Sequence, residues 1–212
     1  MNNNIHILKI SNTSQLIVAF VGAMFAEKTS VLFGFLNRHA RAGQKVILFR
    51  PKRDTRGKIP QTHDGGGLII EKFGGEIIRV STCKEVLSLA LNKKAQVVGI
   101  DESQFLPSNL IKILVRLYEH SITVYLSALD TDYRARNFKT ISEITKHPLV
   151  YTTKLTAICN FCHSHDGVYS LRFDEKGNVI KKDIKRIIIG DKIYQPACHK
   201  CRRRILKRKK KK

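Results

Sequence analysis

The sequence has few acidic residues and no long apolar run. It contains 17 Asp and Glu residues against 39 Lys and Arg residues, which gives a formal net charge of +22. No apolar run reaches the roughly 18 residues expected of a membrane span, and residues 1–11 lack the basic and then apolar layout of a signal peptide. No internal repeat is found. We therefore expect a cytoplasmic protein without a membrane anchor, and the positive charge suits anionic ligands such as nucleotides, among others.

Basic residues concentrate at the C-terminal end. Nine of the last 11 residues, 202–212, are Lys or Arg. Such a block repels itself, so it is predicted to be a disordered tail. Nucleic-acid binding and a nuclear address are possible roles, but a merely solvated tail is favoured. The rest of the chain still carries 30 basic residues against 17 acidic ones, so the body of the protein is basic as well.

Four of the five cysteines form two Cys-x-x-Cys pairs. These pairs are Cys159 with Cys162 and Cys198 with Cys201. Two intervening residues let both sulfurs face one ion, and two pairs supply the four thiolates of a structural zinc site. A redox pair or two disulfides are the alternatives, which the doubling of the pair and the missing secretory signal disfavour. The remaining Cys83 is predicted to be a small core residue of a helix.

Predicted strands and helices alternate over the first 153 residues. Strands are expected at residues 16–21, 45–49, 76–80, 95–100 and 122–126, and helices at 28–41, 83–91 and 110–120. This alternation indicates an α/β fold with a parallel sheet covered by helices on both faces. Residues 50–67 are predicted to form a long loop. Because the pattern changes near residue 155, we expect an α/β domain at 1–153, a zinc-binding unit at 154–201 and a tail at 202–212.

A candidate phosphate-binding loop lies between the first strand and the first helix. Gly22 to Thr29 follows the Walker A pattern, except that Glu27 replaces the second glycine. Backbone N–H groups would hold phosphate oxygens, Lys28 would pair with the β- and γ-phosphates, and Thr29 would ligate Mg2+. Glu27 is an objection, because glycine tolerates backbone angles that a residue with a Cβ resists. Its carboxylate would also repel phosphates. Alone, the motif is about as consistent with an ordinary strand–helix turn.

An acidic pair directly follows the predicted strand 95–100. Asp101 occupies the Walker B position, where a carboxylate holds Mg2+ directly or through water. Glu102 could act as a general base towards a hydroxyl group within hydrogen-bond reach. A helix cap is the alternative, and the phosphate-loop candidate upstream disfavours it.

Together these segments resemble thymidine kinase of the type II, zinc-containing family. The family's phosphate loop corresponds to Gly22 to Ser30, and its Asp-Glu-x-Gln-Phe motif is intact as Asp101 to Phe105. Further matching segments lie at residues 54–56, 62–65, 128–133 and 154–159, and the similarity extends from about residue 15 to residue 201. The resemblance implies a P-loop NTPase-like domain with a small C-terminal zinc ribbon and lasso loop. It also implies phosphoryl transfer from ATP to the 5′-hydroxyl of thymidine, giving dTMP, in a homotetramer.

The resemblance further implies a role for individual residues. Glu102 would be the catalytic base, and ATP and Mg2+ would be bound by Gly22, Met24, Phe25, Lys28, Thr29, Ser30, Asp101 and Gln104. Thymidine would be bound by Phe105, Tyr133, Phe138, Ser170 and Tyr194, although core packing is a fair alternative for Tyr133 and Phe138. Zinc at Cys159, Cys162, Cys198 and Cys201 would hold the ends of the lasso together without taking part in the chemistry. Two other interpretations remain: a kinase-like binding protein inactivated by Glu27 and, ranked last, a nucleic-acid-binding zinc protein.

Overall fold

Six parallel strands form the central sheet of the protein. The computed structural model describes residues 15–55, 67–107, 109–184, 187–189 and 193–207. The strands are β1 (Ile17–Gly22), β2 (Val46–Pro51), β3 (Glu76–Val80), β4 (Val97–Ile100), β5 (Thr123–Leu129) and β6 (Val150–Leu155). They lie in the order β3-β2-β4-β5-β1-β6, and every neighbouring pair is parallel. Within the described residues, four α-helices accompany the sheet: α1 (Lys28–Arg41), α2 (Cys83–Asn92), α3 (Leu110–Glu119) and α4 (Lys139–Thr145).

Both faces of the sheet are covered by apolar packing. Along β1, Ile17 and Val21 pack on the side of α2, α3 and α4, whereas Val18 and Phe20 pack on the side of α1. Successive side chains of a strand point to opposite faces, so a strand covered on both sides is apolar throughout. The sequence prediction of an α/β fold with a parallel sheet is therefore confirmed. In the part of the chain that the structure describes, no helix combines the length and apolar character needed to cross a bilayer.

Two elements of the α/β unit had no counterpart in the sequence prediction. Helix α4 has only seven residues, and β6 is the edge strand that pairs with β1. Because one edge of β6 is unpaired within the described sheet, its residues are only partly buried and its sequence, VYTTKL, lacks a continuous apolar run. The expected domain boundary after residue 153 therefore falls inside β6, which continues to Leu155.

A smaller unit follows the sheet. It contains the antiparallel pair β7 (Tyr169–Arg172) and β8 (Tyr194–Ala197), and helix α5 (His199–Lys207). The prediction of a disordered tail is wrong for residues 202–207, because α5 extends through them. Ile205 packs against the core of this unit, and the Arg202 guanidinium carbon lies 4.6 Å from the centre of the Tyr169 ring. These contacts offset the charge repulsion that the composition alone predicts. Residues 208–212 lie outside the described residues, as do Arg56 and segment 62–65 of the family motifs.

Candidate active site

The phosphate loop connects β1 to α1 and is fixed at both ends. A Cβ added to Gly22 would lie 2.2 Å from the carbonyl oxygen of Leu155 in β6, so the close approach of these strands requires glycine. At the other end, the Lys28 ammonium donates a hydrogen bond to the carbonyl oxygen of Ala23 at 2.5 Å. Lys28 is 9% exposed, and its side chain folds back across the loop. The loop therefore carries a nearly buried positive charge beside its backbone N–H groups.

Glu27 keeps the backbone conformation that a glycine would adopt at this position. Its φ is 53° and its ψ is 24°, which is the left-handed region, and its side chain is exposed. A residue with a Cβ adopts this conformation at a cost of about 1–2 kcal/mol. The replacement of glycine thus strains the loop locally, while α1 still begins at the next residue.

Asp101 is the point where several strand ends meet. Its Oδ1 atom accepts a hydrogen bond from Thr29 Oγ1 at 3.1 Å and another from the Ser127 hydroxyl. Its Oδ2 atom lies 3.9 Å from Arg50 Nε, and Arg50 in turn donates to Asp54 Oδ2 at 2.7 Å. Asp101 is 2% exposed. A carboxylate and a hydroxyl group side by side offer the oxygen ligands that Mg2+ prefers, so these residues fit that ion.

Glu102 is held in an uncommon conformation beside Asp101. Its φ is 50° and its ψ is 40°, again left-handed. Its carboxylate accepts a hydrogen bond from Gln104 Nε2, and Gln104 Oε1 accepts one from the backbone N–H of Leu129 at 3.1 Å. The backbone N–H of Glu102 donates a hydrogen bond to Ser127 Oγ at 3.3 Å. Non-glycine residues in the left-handed region cost energy and cluster at functional sites. Gln104, which is anchored on β5, fixes the orientation of the partly exposed Glu102 carboxylate on this strained backbone.

The aromatic residues suggested for thymidine binding lie in three different surroundings. Phe105 is partly buried, and the Arg53 guanidinium carbon lies 5.7 Å from the centre of its ring. Phe138 is 5% exposed and packs in the core of the α/β unit. Tyr133 lies under the Arg172 guanidinium carbon at 4.0 Å from the ring centre. Core packing therefore accounts for Phe138, whereas Tyr133 contacts the smaller unit.

Arg172 binds the excursion between the cysteine pairs to the α/β unit. Its side chain is fully buried, and its guanidinium pairs with Asp183 at 2.5 Å while it covers Tyr133. A buried guanidinium is stabilised by a paired carboxylate and by an aromatic face, and here the carboxylate belongs to the smaller unit and the ring to the α/β unit. Arg172 thus fixes the position of residues 172–183 above Tyr133.

Two further predicted thymidine-binding residues contact the protein itself. Ser170 is 3% exposed, and its Oγ accepts a hydrogen bond from the backbone N–H of Met24 at 2.9 Å. The Tyr194 hydroxyl forms hydrogen bonds with both backbone groups of Ile188, each at 3.1 Å. Ser170 therefore joins β7 to the phosphate loop, and Tyr194 closes the base of the excursion between the cysteine pairs.

A groove of about 610 Å³ opens beside the phosphate loop. Phe25, Glu27 and Val31 line one side of it, and Lys154, Ile158 and Tyr194 are among the residues that line the other. Lys154 pairs with Asp130 at 3.0 Å, and Ile158 is 55% exposed. The groove therefore combines apolar side chains with charged ones at its walls, and it adjoins the loop that carries Lys28. Ser30, the other loop residue of the prediction, lies half-buried in the first turn of α1.

The four cysteines of the two pairs form one cluster. Their sulfur atoms all lie within 4.8 Å of one another, and Cys162 Sγ is 3.7 Å from Cys198 Sγ. A tetrahedron with Zn–S distances of about 2.3 Å has edges of about 3.8 Å, so the cluster fits zinc. Hydrogen bonds lower the pKa of Cys162 to about 6, first those with the side chain and the backbone of Ser164, and this favours the thiolate form that binds metal.

Comparison with known proteins identifies the family. The family model described as thymidine kinase matches residues 15–202. The chain belongs to the thymidine kinase family. A thymidine kinase of Mesoplasma florum is 32% identical over 85% of this chain and 87% of its own length. A thymidine kinase of Mycoplasma genitalium is 33% identical over 84% and 78%, and one of Rabbit fibroma virus is 30% identical over 85% and 92%.

Membership of the thymidine kinase family confirms the resemblance to thymidine kinase and makes the protein a transferase. Nothing in the comparisons supports the interpretation as an inactivated relative. The structure places Lys28, Thr29, Asp101 and Glu102 beyond the carboxyl ends of the central strands β1 and β4. The roles of individual residues stay predictions.

Sequence reasoning missed three residues that the structure places at the site. Arg50 and Ser127 both contact Asp101, and Arg172 covers Tyr133. The first two carried a signal: each is a polar residue near the carboxyl end of an otherwise apolar strand, in VILFRP and VYLSAL. Ligands bind at that end of parallel sheets. Arg172 carried no such signal, because the sequence does not show what its side chain packs against.

Proposed function

We propose that the protein transfers the γ-phosphate of ATP to the 5′-hydroxyl group of thymidine and releases dTMP. The observation that carries the proposal is the contact of Thr29 with Asp101 at 3.1 Å, directly before the strained Glu102. Phosphoryl transfer depends mainly on positioning and charge neutralisation, and these residues offer a cation site and a base at neighbouring positions. Family membership supports the same reaction.

ATP is proposed to bind along the phosphate loop. Lys28 would exchange its contact with the Ala23 carbonyl for phosphate oxygens, and the backbone N–H groups of residues 22–30 would hold the remaining oxygens. The nucleoside part of ATP would occupy the groove beside Phe25 and Val31. Thr29 and Asp101 would hold Mg2+, which neutralises charge on the β- and γ-phosphates when it is bound.

Glu102 is proposed to accept the proton of the thymidine 5′-hydroxyl group as that oxygen attacks phosphorus. Gln104 donates a hydrogen bond to the Glu102 carboxylate and is itself anchored on β5. This arrangement limits the carboxylate to one orientation, which a general base needs because the proton must lie within hydrogen-bond reach. The proposed role of Gln104 is therefore to position Glu102.

Thymidine is proposed to bind between the α/β unit and the excursion that joins the cysteine pairs. Phe105 and Tyr133 would contact the base and sugar, with Phe138 supporting them from the core. Ser170 and Tyr194 would shape the pocket through the backbone segments that they hold. Zinc bound by the four cysteines would fix the ends of this excursion. We further propose a homotetramer in the reducing cytoplasm, where thiolate zinc sites persist.

The decisive experiment measures dTMP formation from thymidine, ATP and Mg2+ by the parent protein and by Glu102→Gln. The parent is expected to be active. Loss of a general base should lower kcat by about a hundred- to ten-thousand-fold, while the zinc content and the melting temperature stay unchanged. Glu119→Gln at the exposed end of α3 is the matched control and should retain full activity. An inactive parent would overturn the proposed reaction, and a fully active Glu102→Gln would overturn the assignment of the base.

A further inference from the structure

Helix α5 carries a stripe of positive charge that the proposed reaction does not use. We define the basic stripe as Lys200, Arg203, Arg204 and Lys207. All four side chains are exposed. Their spacing, i, i+3, i+4 and i+7, places them on one side of the helix. The stripe therefore extends over about 10 Å of helix axis.

Within the described residues the stripe is not paired with carboxylates, and one member, Arg204, donates a hydrogen bond to Cys201 Sγ at 3.7 Å. Helix α5 contains no Asp or Glu, and within the described residues none of the four side chains forms an ion pair with a carboxylate. The opposite side of the helix is attached firmly: Cys201 belongs to the cysteine cluster and Ile205 packs on the same core. The stripe is thus a fixed surface rather than a flexible chain end.

The chemistry of this surface fits single-stranded nucleic acid, and we propose that α5 binds such a strand. The cations repeat along the helix and complement the regularly spaced phosphates of the strand, which is the main source of affinity for nucleic acids. At the start of the helix the exposed His199 ring lies 6.0 Å from the Tyr169 ring, and Arg202 covers Tyr169. Aromatic rings beside a basic track are typical of proteins that bind single strands by stacking.

A lipid surface is a poorer match for the same helix. Helices that lie in a membrane interface present large exposed apolar side chains beside their basic residues. In α5 the two apolar residues, Ile205 and Leu206, are half-buried, and Ile205 packs against the cysteine-rich core. The exposed side of α5 offers charge without an apolar anchor. We therefore assign the surface to the phosphodiester backbone of a strand.

The test measures binding of the full-length, zinc-loaded protein to a fluorescent single-stranded DNA of mixed sequence over a series of KCl concentrations. The parent should bind with an affinity that falls steeply with salt. The double variant Arg203→Glu with Lys207→Glu should weaken binding at least about tenfold, and each lost phosphate contact should reduce the salt slope by about 0.7. Zinc content and dTMP formation should remain at the parent level.

The matched control is Lys112→Glu with Arg116→Glu on the exposed side of α3, which makes the same change in net charge at the same spacing. It should alter binding far less than the stripe variant. Arg203→Gln with Lys207→Gln, which removes charge without reversing it, should give an intermediate loss. An equal loss in the stripe and control variants, salt-independent binding, no binding by the parent, or stripe-dependent binding to phosphatidylserine vesicles but not to DNA would overturn the proposal.

Discussion

The two units of this chain are stabilised by different means. The α/β unit buries apolar side chains on both faces of a six-stranded sheet. The smaller unit has a core of Cys159, Leu171, Ala197, Cys198 and Cys201, so three of its five buried members are cysteines of the candidate metal cluster. A core of this size does not stabilise a fold alone, and small units compensate with metals or disulfides. The first unit is therefore held by apolar burial, whereas we propose that the second depends on metal bound by its four cysteines.

This difference corresponds to a division of tasks. The groups proposed for chemistry, Asp101 and Glu102, follow a central strand of the rigid sheet. The segments proposed for recognising thymidine belong to the smaller unit and contact the α/β unit through Arg172 and Ser170. Chemistry needs groups fixed within fractions of an ångström, whereas a loop that closes over a nucleoside has to open again. A substitution in the α/β unit should therefore lower kcat first, and a substitution in the smaller unit should first weaken the binding of thymidine.

The largest effect should come from removing the metal site. We expect Cys198→Ser to lose zinc and to unfold the smaller unit, because the binding free energy of structural zinc is about 10–16 kcal/mol and is coupled to folding. Hydrogen exchange should become fast in β7 and β8 and stay slow in β1 and β5. The KM for thymidine should rise at least about tenfold, because the excursion that closes over the base loses its anchor.

Cys83→Ala is the control for loss of a cysteine as such. Cys83 is buried in the α/β unit, and burial raises the pKa of its thiol to about 11, so it is neither a ligand nor a reactive thiolate. This variant should keep its zinc and its protected β7 and β8 amides. If Cys198→Ser lost zinc but kept slow exchange in β7 and β8, the smaller unit would be stable without metal and the contrast between the units would be lost.

The sequence predicted most strands and helices of the α/β unit, including the edge strand β3 at its observed bounds, but it missed two elements. Strand β1 and helix α1 were found almost to the residue, because a continuous apolar run and helical periodicity are local signals. Edge strand β6 and the short α4 were missed, since partial burial leaves no clear periodicity. Helix α5 was mistaken for disorder, because its order comes from packing on the cysteine-rich core, which composition does not reveal.

The candidate site shows the same limit. Sequence motifs predicted Lys28, Thr29, Asp101 and Glu102 as site residues, and the structure places all four beyond the carboxyl ends of β1 and β4. The side-chain contacts of Ser170 with Met24 and of Arg172 with Tyr133 link positions far apart in the sequence, and no local pattern encodes them. Residues 1–14, which motif analysis also left without a role, lie outside the described part.

A smaller effect is expected at the hydrogen bond that connects the two units. Ser170→Ala removes the acceptor for the Met24 N–H and leaves that group unsatisfied, which costs about 1–3 kcal/mol. Because Met24 belongs to the phosphate loop, the KM for ATP should rise about fivefold or more, with a smaller change in kcat. Ser170→Thr retains the hydroxyl and should restore the KM. A change confined to the KM for thymidine would instead assign Ser170 to the nucleoside and not to the loop.

The smallest effect should come from Glu27, even though the sequence alone marked it as the most serious departure. The left-handed backbone of Glu27 is already formed, so Glu27→Gly should relieve strain of about 1 kcal/mol. That gain should raise the melting temperature by about 2–4 °C for a chain of this size. Because the Glu27 carboxylate is exposed and the backbone of the loop keeps its course, kcat should change by less than about threefold. A change of that size is only a small part of the activation free energy of phosphoryl transfer.

Glu27→Ala separates strain from charge, because alanine retains the Cβ and removes the carboxylate. If strain decides, Glu27→Gly should be more stable than Glu27→Ala, and Glu27→Ala should resemble the parent in melting temperature. If repulsion between the carboxylate and ATP decides, both variants should lower the KM for ATP by a similar factor. A rise in kcat of several orders of magnitude in Glu27→Gly would mean that the parent loop is inactive. The important difference would then be the one between an inactive phosphate loop and the intact acidic pair Asp101 and Glu102, both within the α/β unit, rather than the one between the two units.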